Sequence, residues 1–129
     1  MKQVRLGRMQ LRIMSVLWER GSASARQITD ALCRERPVAH STVQTLLRKL
    51  QDKGAVRHEV ADRTFVFHPT VDSRSITRGA TRELIERVFG GSAGGLVAHL
   101  LKEERISEDE LDVIRKLIDR HESGKKGKP

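Results

Sequence analysis

The chain has 129 residues, a net charge of +8 and only 3% aromatic residues. No apolar run approaches the ~20 residues that a membrane span needs, and the N-terminus lacks the apolar core of a signal peptide. The single cysteine, Cys33, excludes an internal disulfide. We therefore expect a cytoplasmic protein with no membrane partner.

The excess of positive charge lies in the N-terminal part of the chain. Residues 1–70 carry 13 Lys and Arg against 6 Asp and Glu, whereas residues 71–129 carry 12 against 11. A basic surface attracts polyanions, and a balanced one is expected where a protein meets another protein. The distribution favours nucleic acid as the partner of the N-terminal part.

Two short helices are predicted before Pro37. The main apolar stripe of the first, at about residues 9–20, is Leu11, Met14 and Trp18, with Ile13 and Leu17 beside it. A second helix should start near Ala25, because Ser24 and Gln27 have the spacing of a capping box. It must end before Pro37, since the residue that precedes a proline avoids helical geometry.

A third helix is predicted at about residues 39–53. One face is apolar, with Val43, Leu46, Leu47 and Leu50, and the other is polar, with Ser41, Thr42, Gln44, Thr45, Arg48 and Lys49. Gly54 is placed to end the helix in a left-handed cap. Short polar side chains backed by cations suit the major groove of DNA, although an ordinary amphipathic surface helix has the same pattern.

A β-hairpin is predicted directly after this helix, at about residues 56–68. Val56, His58 and Val60 alternate with polar residues, Ala61-Asp62-Arg63 form a turn, and Phe65 and Phe67 continue the alternation. A hairpin after the third of three short helices is the wing of a winged helix-turn-helix domain. Arg63 at its tip is placed to reach a phosphate or the minor groove.

Three further helices are predicted after residue 71. Their apolar positions begin with Ile76, Ala80, Leu84, Ile85 and Val88, and continue with Leu96, Val97, Leu100, Leu101, Leu111, Ile114, Leu117 and Ile118. Ser107 and Glu110 form a second capping-box pattern at the start of the last helix. Helices in so short a segment bury too little apolar area alone, so we expect a second copy to cover them.

The predicted fold is therefore mostly α with a small β-hairpin wing. Residues 1–70 form a winged-helix DNA-binding domain, residues 71–122 a three-helix dimerisation domain, and residues 123–129 a disordered basic tail. We predict a dimer interface at five apolar positions, which are Leu96, Leu100, Leu111, Ile114 and Ile118.

Several segments resemble the BlaI/MecI penicillinase-repressor family, which also includes CopY-type copper repressors. Ile13-Met14 with Leu17-Trp18 resembles its IMxxLW signature, and residues 41–54 resemble its TTVxTxLxRLxxKG recognition helix. Residues 62–69 resemble its wing motif GRxxxYxP, with Asp for Gly and Phe for Tyr. Residues 89–97 and 107–111 resemble its FxGS…LV and LSxxEL segments. The resemblance covers about residues 6–121.

The resemblance implies a homodimeric repressor on a dyad-symmetric, double-stranded DNA operator. Together with the polar helix face, it makes Ser41, Thr42 and Thr45 the candidates for reading bases. Candidates for holding the DNA backbone, from their cationic side chains and placement, are Arg5, Arg8, Arg48, Lys49, Lys53 and Arg63. We expect repression to be released by proteolysis or by an unidentified signal.

Two features of the family are altered in this sequence. Members that are released by a sensor protease are cut at an Asn-Phe bond just after the Leu-Val pair. Here that bond joins His99 and Leu100, which makes it the candidate cleavage bond and a sensor protease a candidate partner. The Cys-x-Cys ligands of copper-responsive members have no counterpart, since Cys33 is the only cysteine.

We expect no enzyme activity, no metal and no cofactor. The five histidines are scattered without metal-ligand spacing, and neither a nucleophile elbow nor a phosphate-binding glycine loop is present. Cys33 is either a redox sensor activated by Arg34 and Arg36 or a half-buried structural thiol. The alternative function is a winged-helix protein-interaction module without sequence-specific DNA binding.

Overall fold

The computed structural model describes residues 4–126, with side chains through residue 124. It contains nine elements: α1 (Arg8–Arg20), β1 (Ala23–Ser24), α2 (Ala25–Cys33), α3 (His40–Asp52), β2 (Val56–Ala61), β3 (Thr64–Pro69), α4 (Ser73–Val88), α5 (Ala93–Glu103) and α6 (Glu108–Lys126). The predicted fold class, helices with a hairpin wing, is confirmed. Two compact units are present, and the first ends at Glu83, within α4 and beyond the predicted boundary at residue 70.

The core of the first unit lies between α1, α2 and α3. The largest fully buried side chains are Ile13, Met14, Leu17, Ile28, Val43, Leu47 and Leu50. The stripe predicted for α1 is wrong at Leu11, which is 37% exposed and lines a separate cavity of about 260 Å³ with Leu6 and Ile76. Trp18 is half-buried, and its Nε1 donates to the carbonyl of Val71 at 2.8 Å.

The predicted start of α2 and the predicted end of α3 are both confirmed. Gln27 N donates to Ser24 Oγ at 3.2 Å, and Ser24 N donates to Gln27 Oε1 at 2.9 Å, which completes the capping box. After α3, Gly54 has a φ of 78°. Its amide donates to the carbonyl of Gln51 and that of Ala55 to Leu50, which is the hydrogen-bond pattern of a Schellman motif.

The sheet has three antiparallel strands in the order β1-β3-β2. β1 was not predicted, because two residues show no periodicity and gain stability only by pairing with β3. The turn between β2 and β3 contains just Asp62 and Arg63, since Ala61 already pairs with Thr64. Both turn residues have positive φ, 49° and 65°, which a two-residue type I′ turn requires.

The second unit contains the last residues of α4 together with α5 and α6. Among its side chains from residue 84 to residue 124, Ile85 is the only buried one. The predicted disordered tail is wrong for residues 123–126, because α6 continues to Lys126. An established helix adds residues at little cost, so the single Gly124 does not end it. The rest of that tail, residues 127–129, lies outside the described residues.

Candidate nucleic-acid interface

The buried side chains of α3 fix which of its residues face outward. Val43, Leu47 and Leu50 are buried and Leu46 is half-buried, so the predicted apolar face is confirmed. At 100° per residue, the direction opposite to these positions falls on Ser41, Thr45 and Arg48. Thr42 and Lys49 lie on one flank of that outer face, and Gln44 and Gln51 lie on the other. All seven of these polar side chains are exposed.

Thr45 lies at the centre of the outer face, and its hydroxyl group is already engaged. Thr45 Oγ1 donates to the carbonyl of Ser41 at 3.0 Å. A threonine hydroxyl has one hydrogen, so the groups that remain for a partner are the methyl group and the oxygen lone pairs. Thr45 is thereby equipped to contact a thymine methyl, whereas Ser41 presents only a small polar group.

The wing lies beside the flank that contains Gln44. On its β2 strand, the His58 ring stacks on Phe65 with a centroid separation of 4.4 Å, and it also contacts Phe67. His58 Nδ1 is hydrogen-bonded to Gln51 Oε1, which joins the wing to the end of α3. The hydrogen bond places the hairpin beside the C-terminal end of α3.

A cleft of about 570 Å³ separates α3 from the wing. Its polar lining comes from α2, α3 and the hairpin, namely Ser24, Arg26, His40, Gln44, Arg48, Gln51, His58, Arg63 and Thr64. None of the described residues that line this cleft is a carboxylate. The cleft therefore combines three guanidinium groups with neutral hydrogen-bonding groups, which suits an anionic strand.

The six candidates for holding a DNA backbone are not all in one place. Arg48 and Arg63 line the cleft, and Lys49 is exposed on the outer flank of α3. Arg8 begins α1 and lines a different groove with Arg36. The ammonium group of Lys53 donates to the carbonyl of Arg5 at 2.6 Å and to Gln10 Oε1 at 2.9 Å.

Arg5 is likewise engaged inside the first unit, because its guanidinium group lies 3.1 Å from a carboxylate oxygen of Glu83. The placement of Arg5 and Lys53 gives both residues a structural role that competes with phosphate binding. The polar lining residues that were not among the predicted site residues are Ser24, Arg26, His40, Gln44, Gln51, His58 and Thr64. Gln44 had a sequence signal, since it belongs to the predicted polar face of α3 and lies one helical turn before Arg48.

The second unit exposes a large amount of apolar surface. Its exposed large apolar side chains are Leu84, Val88, Val97, Leu100, Leu101, Val113, Leu117 and Ile118. Of the five predicted interface residues, Leu100 and Ile118 are 40% and 50% exposed, and Leu96, Leu111 and Ile114 are half-buried. Apolar surface of this extent, rimmed by charged residues, is typical of an interaction face.

The candidate cleavage bond lies in the middle of α5. His99 and Leu100 are both exposed, and the His99 ring contacts Phe89 at a centroid separation of 5.7 Å.

Cys33 is exposed, so the expectation of a half-buried structural thiol is wrong. Its thiol donates to the carbonyl of Val38 at 3.4 Å. Within residues 4–126, no helix is long and apolar enough to cross a membrane.

The sequence matches a known family along most of its length. The pattern of the family described as penicillinase repressor matches residues 6–120. A penicillinase repressor from Bacillus licheniformis is 25% identical over 117 residues, which are 91% of this chain and 91% of that protein.

Two solved structures resemble the N-terminal part. One is the solution structure of the DNA-binding domain of the repressor BlaI, with 28% identity and a TM-score of 0.52. The other is the monomeric form of Bacillus licheniformis BlaI in complex with the blaP half-operator, with 28% identity and a TM-score of 0.50. Each likeness covers 57% of this chain and 90% of the solved chain.

Proposed function

This chain belongs to the penicillinase repressor family, as its sequence predicted, and from that premise we propose that it represses transcription as a homodimer on a dyad-symmetric operator. The family consists of DNA-binding regulators and not of enzymes. One observation carries the proposal for this chain: Arg48 on the outer face of α3 and Arg63 at the tip of the wing line the same cationic cleft.

In the proposed complex, α3 enters the major groove and the wing lies against the neighbouring backbone. Ser41, Thr42 and Thr45 contact base edges or thymine methyl groups, because their short side chains let the helix axis approach the base pairs. Arg48 and Arg63 hold the strand that passes between α3 and the wing. Lys49 contacts the backbone on the opposite flank, and Arg5, Arg8 and Lys53 remain weaker candidates for that role.

Dimerisation through the second unit would join two such domains. The exposed residues of α5 and α6, among them Leu100 and Ile118, would be covered by the same surface of a second copy. The half-operator bound by BlaI supports this arrangement, since a half-site has a symmetry-related partner in a dyad. Two linked domains bind a two-part site far more tightly than one domain binds half of it.

For release, we propose either cleavage within α5 by a sensor protease or another signal that separates the dimer. The bond between His99 and Leu100 lies inside a helix, and a protease needs an extended segment, so cleavage there requires local unwinding. A blot of the protein from its own host before and after induction distinguishes the two routes. A fragment that ends near His99 indicates cleavage, and an intact chain that has left the DNA indicates another signal.

The proposal is tested with the DNA upstream of the chain's own coding sequence. A labelled duplex from that region is titrated with the protein in the presence of excess unlabelled random duplex. We expect a saturable complex that the competitor does not remove, and a block of transcription from the same duplex in vitro. Loss of the labelled complex to the random duplex would contradict sequence-specific repression.

A further inference from the structure

His40 is the first residue of α3 and lines the cleft between α3 and the wing. Its Nδ1 lies 2.8 Å from Oγ1 of Thr29, a residue of α2 that is only 4% exposed. The same Thr29 hydroxyl donates to the carbonyl of Ala25 at 2.9 Å. These contacts form a short chain of hydrogen bonds that ends at the imidazole ring.

This chain of hydrogen bonds determines where the ring hydrogen of neutral His40 lies. A carbonyl oxygen only accepts, so the single hydrogen of the Thr29 hydroxyl is directed at Ala25. For both hydrogen bonds to form together, His40 Nδ1 must donate to Thr29 Oγ1. In the neutral ring, Nε2 consequently has no hydrogen and is an acceptor only. The doubly protonated ring has a hydrogen on each nitrogen and keeps the bond to Thr29.

The surroundings of His40 are suited to an anion. The charged and titratable groups that share the cleft with it are Arg26 from α2, Arg48 from α3, His58 from β2 and Arg63 from the turn. No carboxylate is among the described residues that line the cleft. A phosphate oxygen is itself only an acceptor, so it cannot bond to Nε2 of the neutral ring that Thr29 enforces.

We propose that His40 binds a phosphate of the DNA strand in this cleft in its doubly protonated form, so that DNA binding takes up a proton. This inference rests on the proposed function, since it requires a DNA strand between α3 and the wing. The negative charge of the phosphate stabilises the imidazolium, and the hydrogen on Nε2 donates to the phosphate oxygen. Because binding takes up a proton, the affinity for DNA rises as the pH falls.

The test measures the affinity of the full chain for the duplex protected in footprinting of its own upstream region, at constant ionic strength. We expect wild-type protein to bind roughly three- to tenfold more tightly near pH ~6 than near pH ~8, the range in which histidine titrates. His40→Gln retains a donor that does not titrate, so its affinity should be nearly independent of pH. A His40→Gln protein with the wild-type pH dependence would overturn the proposal.

Thr29→Val gives a second test in which His40 itself is intact. Valine cannot accept a hydrogen bond, so the neutral ring is free to place its hydrogen on Nε2 and donate to phosphate without a second proton. We therefore expect Thr29→Val to weaken the pH dependence of the affinity for DNA. A purely structural role of His40 would leave that pH dependence unchanged. An unchanged or steeper dependence would contradict the assignment of the ring hydrogen.

His58→Gln is the matched control, because His58 lines the same cleft. Its partner is the side-chain amide of Gln51, which can rotate and serve either as donor or as acceptor, so the neutral His58 ring is not locked in one form. His58→Gln should keep the wild-type pH dependence, and its loss would assign the proton to His58 instead. No binding of any duplex at any pH would remove the proposed function together with this inference.

Discussion

Lys53 Nζ lies 2.9 Å from Oε1 of Gln10, and this contact joins the C-terminus of α3 to the first turn of α1. Gln10 is 6% exposed, and its Oε1 also accepts from the amide of Gly7 at 2.8 Å. Lys53 Nζ also donates to the backbone carbonyl of Arg5. The residue just after α3 is thereby held by α1 and by the segment that precedes it, which fixes the tilt of the helix that presents the candidate base-reading residues.

The first prediction separates this structural role of Lys53 from phosphate binding. Lys53→Met leaves the buried Gln10 oxygen with one donor fewer, so the free energy of unfolding should fall by about 1–2 kcal/mol. The slope of log affinity against log salt should change little. Lys49→Met is the control, since Lys49 is exposed on α3. It should leave stability unchanged and reduce the salt slope by about one unit. The opposite pattern in the pair would make Lys53 the phosphate contact.

The second prediction concerns the methyl group of Thr45. Its hydroxyl hydrogen is directed at the carbonyl of Ser41, so an apolar contact with thymine is the expected source of specificity. Thr45→Val should keep most of the affinity for the operator, whereas Thr45→Ser should cost about 1 kcal/mol there and little on random DNA. Competition binding measures both, and a greater loss with valine would show that the hydroxyl oxygen is the group that reads the base.

The third prediction concerns the tip of the wing. Arg63 has a φ of 65°, a conformation that asparagine tolerates well, so Arg63→Asn removes the charge without straining the turn. We expect an unchanged melting temperature, weaker binding to specific and random DNA alike, and a salt slope lower by about one unit. Arg63→Lys should restore the slope. A slope that Arg63→Asn leaves unchanged would exclude the wing tip from the DNA contact.

Local sequence signals predicted much of the first unit. The spacing of Ser24 and Gln27 predicted the start of α2, and Gly54 predicted the end of α3, because both motifs are formed by residues only a few positions apart. β1 and the contact of Lys53 with Gln10 escaped prediction, since both depend on residues far apart in sequence. Leu11 was misassigned because apolar periodicity does not show whether a side chain enters the main core or a neighbouring cavity.

The candidate site was predictable one element at a time but not as an assembly. The outer face of α3 follows from its buried positions, and so does the set that contains Ser41 and Thr45. The cleft also depends on the packing of α2 against α3 and on the stacking of His58 on Phe65, neither of which has a periodic signature. For that reason no sequence pattern indicated that Arg26 and His40 line the same cleft as Arg63.

The fourth prediction tests whether the second unit joins two copies. Leu100→Glu places a charge at a predicted interface residue, and it should weaken the dimer by at least about 2 kcal/mol, or roughly thirtyfold in Kd. Lys102→Glu introduces the same side chain at another exposed position of α5 and is the control. Sedimentation should find a monomer for the first variant and a dimer for the second. A monomeric wild-type chain at micromolar concentration would contradict the proposed dimer.

The most direct measurement is hydroxyl-radical footprinting of the full chain on the DNA upstream of its own coding sequence. The proposed dimer predicts two protected half-sites related by a dyad, with their centres about one helical turn or a multiple of it apart. With Leu100→Glu, protection should require a much higher protein concentration, and the two half-sites should no longer become protected together. Protection of one isolated half-site, or none above that of random DNA, would contradict a dimeric operator-binding repressor.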